Sequence, residues 1–144
     1  MMKEVQIKIT GRQKLGEEKD ETIVCAEGTY ELNKEVHRVE YDEKQEDGAI
    51  IHNIIRASER GVKIEKRGAV VTDMFFVPGK KKEVKYQTPY GMFIMENDCS
   101  KIDIACEGER LLIKTEYTLC SNGELVSECE TEIVITDKKK NREN

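Results

Sequence analysis

The fold of this chain is decided by residues 102–135, whose sequence is IDIACEGERLLIKTEYTLCSNGELVSECETEIVI. Apolar and polar residues alternate through three parts of this stretch, at 102–106, 111–119 and 125–135. Alternation with a period of two is typical of a β-strand with one buried face, because successive side chains point to opposite sides of the strand. The stretch therefore predicts three antiparallel strands joined by two tight turns.

The first turn predicts how the first two strands pair. Gly108 and Glu109 suit a two-residue turn with glycine in its first position. The predicted pairs are Cys106 with Leu111, Ile104 with Ile113 and Ile102 with Thr115. Every pair joins residues of the two alternating sets, so the strands share one buried face.

The second turn can form in two ways. A two-residue turn at Asn122-Gly123 would set Tyr117 against Glu128 and so mix the two faces. A three-residue loop, Ser121–Gly123 with the glycine in the left-handed conformation, keeps both apolar sets on one face. We therefore predict the three-residue loop. The resulting pairs are Leu119 with Leu125, Tyr117 with Ser127 and Thr115 with Cys129 inside, and Lys114 with Glu130 outside.

Similar short segments fill the rest of the chain. The alternating segments that predict strands lie at 5–9, 22–32, 36–42, 62–66, 70–77 and 84–94. Gly28 suggests a bulge or bend, Pro89 interrupts the strand at 84–94, and residues 12–20 are expected to form a loop. Residues 49–57 are ambiguous between a strand and a helical turn. About nine or ten short strands in consecutive hairpins favour an all-β, antiparallel up-and-down β-barrel of about eight to ten strands.

Length and composition limit the possible classes of protein. A chain of 144 residues is long enough for one domain with a core of its own. We assign residues 1–136 to a single β-barrel domain and residues 137–144 to a charged, flexible C-terminal tail. Charged residues make up 37% of the chain, which suits sheets with one face in water. The net charge of -5 argues against a general nucleic-acid-binding protein.

The N-terminus and the cysteines bear on the cellular compartment. The chain begins without the apolar segment of a signal peptide, and no stretch approaches the roughly twenty apolar residues of a membrane span. The five cysteines are an odd number and show no CxxC spacing. We therefore expect a cytoplasmic protein with reduced thiols and no membrane contact. By their faces, Cys106 and Cys129 should be buried, and Cys120 should react before either of them.

Three segments of the chain resemble those of a known family, the YwiB-like proteins, which are uncharacterised bacterial domains. The segments are Ile64-Glu65-Lys66-Arg67-Gly68, Met74-Phe75-Phe76 followed by Pro78-Gly79, and Tyr86-Gln87-Thr88-Pro89-Tyr90-Gly91. The resemblance covers nearly the whole chain, from Val5 to Ile135. It implies a calycin-like (lipocalin-like) β-barrel and implies no reaction.

The segment Tyr86–Gly91 is the strongest local signal for a site. If the proline and glycine open the barrel wall, the nearby hydroxyl groups could line a ligand pocket of at least about 300 Å³. Alternatively, Pro89 and Gly91 only bend the strand at a barrel corner. Several further hydroxyls lie on the inner face, and each would cost roughly 1–3 kcal/mol if buried without a partner. The residues predicted to bind the ligand are Tyr86, Thr88, Tyr90, Met92, Thr115, Tyr117 and Ser127.

Catalytic and metal-binding motifs are not evident in the sequence. His37 and His52 are the only histidines, and neither stands in a motif with a cysteine. The predicted function is therefore non-catalytic binding of a small, partly apolar molecule, without a cofactor. The alternative is a protein-interaction or regulatory module whose barrel is filled. The lysine runs 80–82 and 138–140 lack interleaved aromatic residues, so binding of nucleic acid is not expected.

Overall fold

Alternating apolar side chains organise residues 2–138, the part of the chain that the computed structural model describes, into ten β-strands. The strands are β1 (Lys3–Leu15), β2 (Glu18–Asn33), β3 (Val36–Lys44), β4 (Ile50–Ser58), β5 (Gly61–Gly68), β6 (Val71–Phe76), β7 (Lys81–Thr88), β8 (Gly91–Glu107), β9 (Arg110–Ser121) and β10 (Glu124–Asp137). Of the predicted C-terminal tail, residues 139–144 lie outside the described residues.

Each strand pairs antiparallel with its neighbour along the chain, and β1 also pairs with β10. This connectivity gives a closed up-and-down barrel, which confirms the predicted fold class. We call the end of the barrel where β1 begins and β10 ends the terminal end. The opposite end, which carries the β1–β2, β3–β4, β5–β6, β7–β8 and β9–β10 turns, is called the far end.

The middle of the barrel is filled by apolar side chains from all around the wall. Phe76, Ile55, Ile113 and Ile133 are each almost completely buried. Ile55, Phe76 and Ile133 also border a cavity, so the packed side chains leave some space beside them.

The predicted pairing of β8 and β9 is confirmed. Cys106 pairs with Leu111, and Ile104 pairs with Ile113. Gly108 adopts a φ of 63°, as glycine does in the first position of a two-residue hairpin turn.

The predicted register of β9 and β10 is wrong by two residues. Asn122 and Gly123 both have positive φ values, 53° and 80°, and they form the two-residue turn that the sequence argument rejected. A bulge between Leu125 and Ser127 then adds one residue to β10 and returns the following side chains to the correct face. The observed pairs are Leu119 with Ser127, Tyr117 with Cys129, Thr115 with Thr131 and Lys114 with Glu132.

The loop predicted at residues 12–20 is also wrong, because β1 and β2 continue through it to a turn at Gly16-Glu17. Polar pairs replace apolar alternation here: Arg12 Nε lies 3.1 Å from Glu21 Oε2, and Arg12 Nη1 lies 3.1 Å from Glu130 Oε1. Of the ambiguous residues 49–57, all but Ala49 fall in β4, which after the exposed Ile50 alternates buried and half-buried positions.

Gly28 is the point at which β2 leaves β3. A Cβ atom at this position would lie 2.2 Å from the Glu40 carbonyl oxygen, so only glycine allows the two strands to come so close. Pairing of β2 with β3 extends from Gly28 to Asn33, and β2 then runs on towards the far end beside β1 alone. The wall of the barrel is therefore split between β2 and β3 at the far end.

Candidate functional site

A cavity of about 200 Å³ lies inside the far end of the barrel. Its lining includes Thr22 and Val24 from β2 and Tyr41 from β3, so it lies where these two strands separate. Apolar side chains that form much of its wall are Ile9, Val24, Ile64, Met74, Phe76 and Ile133. The cavity is thus a mainly apolar space below the packed middle of the barrel.

A buried polar network forms one side of this end of the barrel. Lys66, which lines the cavity, pairs across the sheet with Asn53, whose side chain is fully buried. The Lys66 Nζ donates to Asn53 Oδ1 at 2.7 Å and to Glu43 Oε1 at 3.2 Å. These two contacts satisfy two of the three ammonium N–H groups, which leaves one donor of Lys66 for another acceptor.

Tyr41 supplies a second polar group to the cavity. The residue is 5% exposed, and within residues 2–138 its hydroxyl makes no hydrogen bond. Burial, and secondarily the charge of Glu43, raise the pKa of the Tyr41 phenol, so the group stays neutral and keeps its proton for donation. The oxygen is not one of the fully buried atoms that lack a partner, so the hydroxyl is open to the cavity space, where a bound molecule could accept its hydrogen bond.

Tyr117 contributes a third hydroxyl from the opposite wall. Its ring packs against Phe76 with the ring centroids 4.6 Å apart, and its hydroxyl lies 3.4 Å from Thr131 Oγ1. Burial raises the pKa of the Tyr117 phenol. The neighbouring Cys129 also lines the cavity, and burial raises the pKa of its thiol, which makes it a weak nucleophile.

The seven residues predicted to bind a ligand fall into two groups. Tyr86, Thr115, Tyr117 and Ser127 belong to the inward-facing sets of β7, β9 and β10. Only Tyr117 of these four borders the cavity, because Tyr86 is turned to Met74, with its hydroxyl 3.6 Å from the sulfur. Tyr117 also borders a second space, of about 550 Å³, which Tyr86, Thr115 and Ser127 do not line. That these residues share a ligand space of at least about 300 Å³ stays a prediction.

The other three, Thr88, Tyr90 and Met92, lie at a hairpin and not inside the barrel. The chain turns at Pro89-Tyr90, where Thr88 Oγ1 donates to the Gly91 carbonyl at 3.0 Å and accepts the Tyr90 N–H at 3.1 Å. Residues 84–94 are thus two paired strands and not one. After a two-residue turn the inward side chains fall on odd-numbered residues, where before it they fell on even-numbered ones. Tyr86 therefore pairs with Phe93, and Met92 points outwards. Tyr90, in the turn itself, is 93% exposed.

Sequence reasoning missed Lys66, which lines the cavity, and its partners Glu43 and Asn53. Asn53 and Lys66 occupy inward positions in segments whose neighbouring inward residues are apolar, such as Ile51, Ile55 and Ile64. A polar residue at such a position is the signal that could have found them, since a buried polar group requires a partner.

The terminal end carries a separate, more polar pocket of about 650 Å³. His37 and Cys106 line it, and the hydroxyl of Tyr30 lies 2.7 Å from Nδ1 of His37. Burial lowers the pKa of His37. Cys106 is exposed here, so the prediction that it is buried is wrong: it faces inwards, but at the open end of the strand.

Neither a metal centre nor a membrane-spanning helix is found in the described part of the chain, residues 2–138. It contains no group of three or more His, Cys, Asp or Glu side chains placed to hold a metal ion. It also contains no helix long and apolar enough to cross a membrane.

Comparison with known proteins gives a family match and a fold. A sequence model of the family described as Domain of unknown function (DUF1934) matches residues 7–133. No curated protein matches the chain. Among solved structures, the crystal structure of the ywiB protein from Bacillus subtilis superimposes with a TM-score of 0.82 at 18% sequence identity, over 94% of this chain and 92% of that chain. At this identity the likeness shows the fold alone, a calycin-like barrel.

Proposed function

Since the chain belongs to the family described as Domain of unknown function (DUF1934), whose description assigns no activity, we propose a function from the geometry of the barrel. The protein binds a small, partly apolar molecule in the cavity at the far end and catalyses no reaction. The YwiB-like resemblance drawn from the sequence is confirmed by the same comparisons, and it likewise assigns no reaction.

The observation that carries this proposal is the Tyr41 hydroxyl. It lies at the wall of a mainly apolar cavity, on a side chain that is 5% exposed, and it makes no hydrogen bond within residues 2–138. The hydroxyl oxygen is open to the cavity space, so it can donate to a molecule bound there. A ligand with one acceptor atom near Tyr41 would accept that hydrogen bond.

Size and polarity define the class of ligand. An apolar protein cavity of roughly 150 Å³ is enough to bind benzene. The cavity of about 200 Å³ therefore suits a ring or short branched chain slightly larger than benzene. Tyr41 and Lys66 both offer N–H or O–H donors, whereas Glu43 already balances the lysine charge. A neutral molecule with a carbonyl or ether oxygen fits this environment better than an acid.

A second candidate function is the interaction module with a filled barrel. It is favoured by the apolar side chains exposed on the β7–β8 hairpin, namely Tyr90, Met92, Phe93 and Ile94. Exposed apolar patches of this kind mark protein-interaction sites in many soluble proteins. A protein partner at this hairpin is compatible with a ligand in the cavity.

We also propose a cytoplasmic location. All five cysteines are free thiols, and Cys99 and Cys129 are buried among apolar side chains as small hydrophobic residues. Free thiols in this number suit a reducing compartment.

The ligand proposal is tested first by native mass spectrometry of the purified protein, which would reveal a retained small molecule. A titration with cyclohexanone, followed by NMR of backbone amides, then tests the cavity directly. We expect the largest shifts near Tyr41, Lys66 and Tyr117, because these residues line the same space.

A matched pair of variants on β2 provides the control. Val24→Phe places an aromatic ring in the cavity, whereas Ile23→Phe places it on the exposed outer side of the same strand. Cyclohexanone binding should be lost in Val24→Phe and kept in Ile23→Phe. If no molecule is retained and cyclohexanone shifts no cavity residue, the ligand proposal fails and the interaction module becomes the better explanation.

A further inference from the structure

The outer edge of β2 is open over a long stretch. From Glu18 to Ala26, β2 pairs with β1 on one side, and across residues 2–138 no strand pairs with its other side. The edge of β3 that faces it, Asp42–Lys44, pairs only with β4 on its far side. A gap bounded by two unpaired strand edges therefore leads to the far end of the barrel.

The backbone of β2 shows which groups face the gap. The N–H of Glu21 donates to Asp20 Oδ1 at 3.0 Å and so does not point to β1. Backbone groups on a strand alternate between its two edges, so those of Ile23 and Cys25 face the gap in the same way. Ile23 is also 53% exposed, and Cys25 is exposed.

Proteins usually protect such edges with charges, bulges or proline. Here charged residues protect only the first part of the edge, Glu18–Glu21, whereas Ile23–Ala26 carries neither charge nor proline. An edge left open over an apolar, β-branched segment is a template for an added strand.

The charges around the gap indicate what kind of strand could be added. Glu18, Asp20, Glu21 and Asp42 are exposed carboxylates at the gap, and Lys19 and Lys44 are exposed lysines. Arg12 forms an ion pair with Glu21, and His52 hydrogen-bonds to Asp42, whereas Glu18 and Asp20 form no ion pair within residues 2–138. The chain as a whole also carries a net charge of -5. A second copy of β2 would bring like charges together, whereas a basic segment would be attracted.

We propose that the open edge of β2 binds an extended, basic segment of another protein by β-strand addition. The segment pairs with the backbone of Ile23 and Cys25 and lies between the acidic side chains of β2 and β3. Apolar residues of the segment alternate towards Val24, at the mouth of the cavity. The proposal rests on the strand edge and is independent of a ligand inside the cavity.

The test uses an acetylated and amidated peptide of alternating lysine and valine, about eight residues long. Binding to the full chain is followed by fluorescence anisotropy, and the site is located by hydrogen exchange. We expect slower exchange at Ile23 and Cys25, within residues 21–26, when the peptide is bound, because their amides face the gap and gain partners. A version of the peptide methylated on every backbone nitrogen keeps its charge but cannot donate, and it should bind at least about tenfold more weakly.

A protein variant tests the same contact from the other side. Ile23→Pro removes the N–H that faces the gap while leaving the β1 ladder its hydrogen bonds, since proline is tolerated at such edge positions. This variant should bind the peptide more weakly, by a factor similar to that for the methylated peptide. Ile23→Thr is the control, because it keeps the backbone N–H.

Three results would overturn the proposal. The methylated peptide could bind as tightly as the parent, which would mean simple charge attraction. Exchange could slow elsewhere and not at residues 21–26. Finally, the chain alone could dimerise with residues 21–26 protected, which would assign the edge to a second copy.

Discussion

Replacing Tyr41 with phenylalanine should make the protein more stable and a poorer binder. The change removes a hydroxyl that makes no hydrogen bond within residues 2–138 and is open to the cavity, and it keeps the ring that packs in the core. A fully buried polar group without a partner would cost roughly 1–3 kcal/mol. Because the hydroxyl is open to a cavity that can admit water, we expect a gain of at most about 1 kcal/mol.

The assay is urea unfolding followed by circular dichroism, with the free energy of unfolding compared at equal m-values. For a chain of this length, about 1 kcal/mol corresponds to a rise of roughly 3–4 °C in Tm. Tyr30→Phe is the matched control, because that hydroxyl lies 2.7 Å from His37. Its loss should lower the free energy of unfolding by about 0.5–1.5 kcal/mol.

The two variants should thus move stability in opposite directions. In the same samples, Tyr41→Phe should bind cyclohexanone more weakly than the wild type does. If Tyr41→Phe destabilises the protein as much as Tyr30→Phe, then the Tyr41 hydroxyl has a structural partner and the argument from an unused donor is refuted.

The remaining predictions concern pH, backbone and thiols. Hydrogen bonds to Asp42 and to Glu40 raise the pKa of His52, so its stabilising contribution is present at low pH and is lost as pH rises through the folded-state pKa. In urea unfolding, His52→Gln should therefore lower the free energy of unfolding relative to the wild type by more at about pH 5.5 than at about pH 9. An equal loss at both pH values would contradict this. In the same assay, Gly28→Ala should lower the free energy of unfolding by about 1–3 kcal/mol, because the new Cβ would meet the Glu40 carbonyl oxygen at 2.2 Å. The control Gly11→Ala should lower it less, because the new Cβ meets only a side-chain oxygen. Iodoacetamide labelling followed by peptide mass mapping should modify the two exposed cysteines before the two buried ones, and the reverse order would show that the faces are misassigned. The exposed pair is Cys25 and Cys106, and the buried pair is Cys99 and Cys129.

The fold was largely predictable because hairpin turns and alternation are both local. Gly108 in its turn and the apolar sets of β8 and β9 were enough to give their pairing. The bulge at residue 126 was not predictable, since it restores the alternation that the two-residue turn would otherwise break. A pattern that looks regular can therefore hide two irregularities that cancel.

The candidate site was less predictable because it depends on where strands separate. The sequence identified Tyr117 as inward-facing and Gly28 as a bulge or bend. It could not show that the bend parts β2 from β3 and so opens a space beside Tyr41. The assignment of residues 84–94 to one strand was wrong for a similar reason. A proline and a glycine between alternating residues are expected both in an interrupted strand and in a hairpin, and the structure has the hairpin.

The pairing of β1 with β10 has a consequence for how the chain folds during synthesis. Ile9 lies beside Ile133, and Val5 beside Asp137, so closure joins segments from opposite ends of the described chain. Contacts so distant in sequence carry a large loop-closure entropy and are typical of slow folders. During synthesis β1 leaves the ribosome first, and one of its edges stays unpaired until β10 has been made. The barrel therefore closes only after β10 has left the ribosome, and the interval before closure is when the nascent protein has most need of a chaperone.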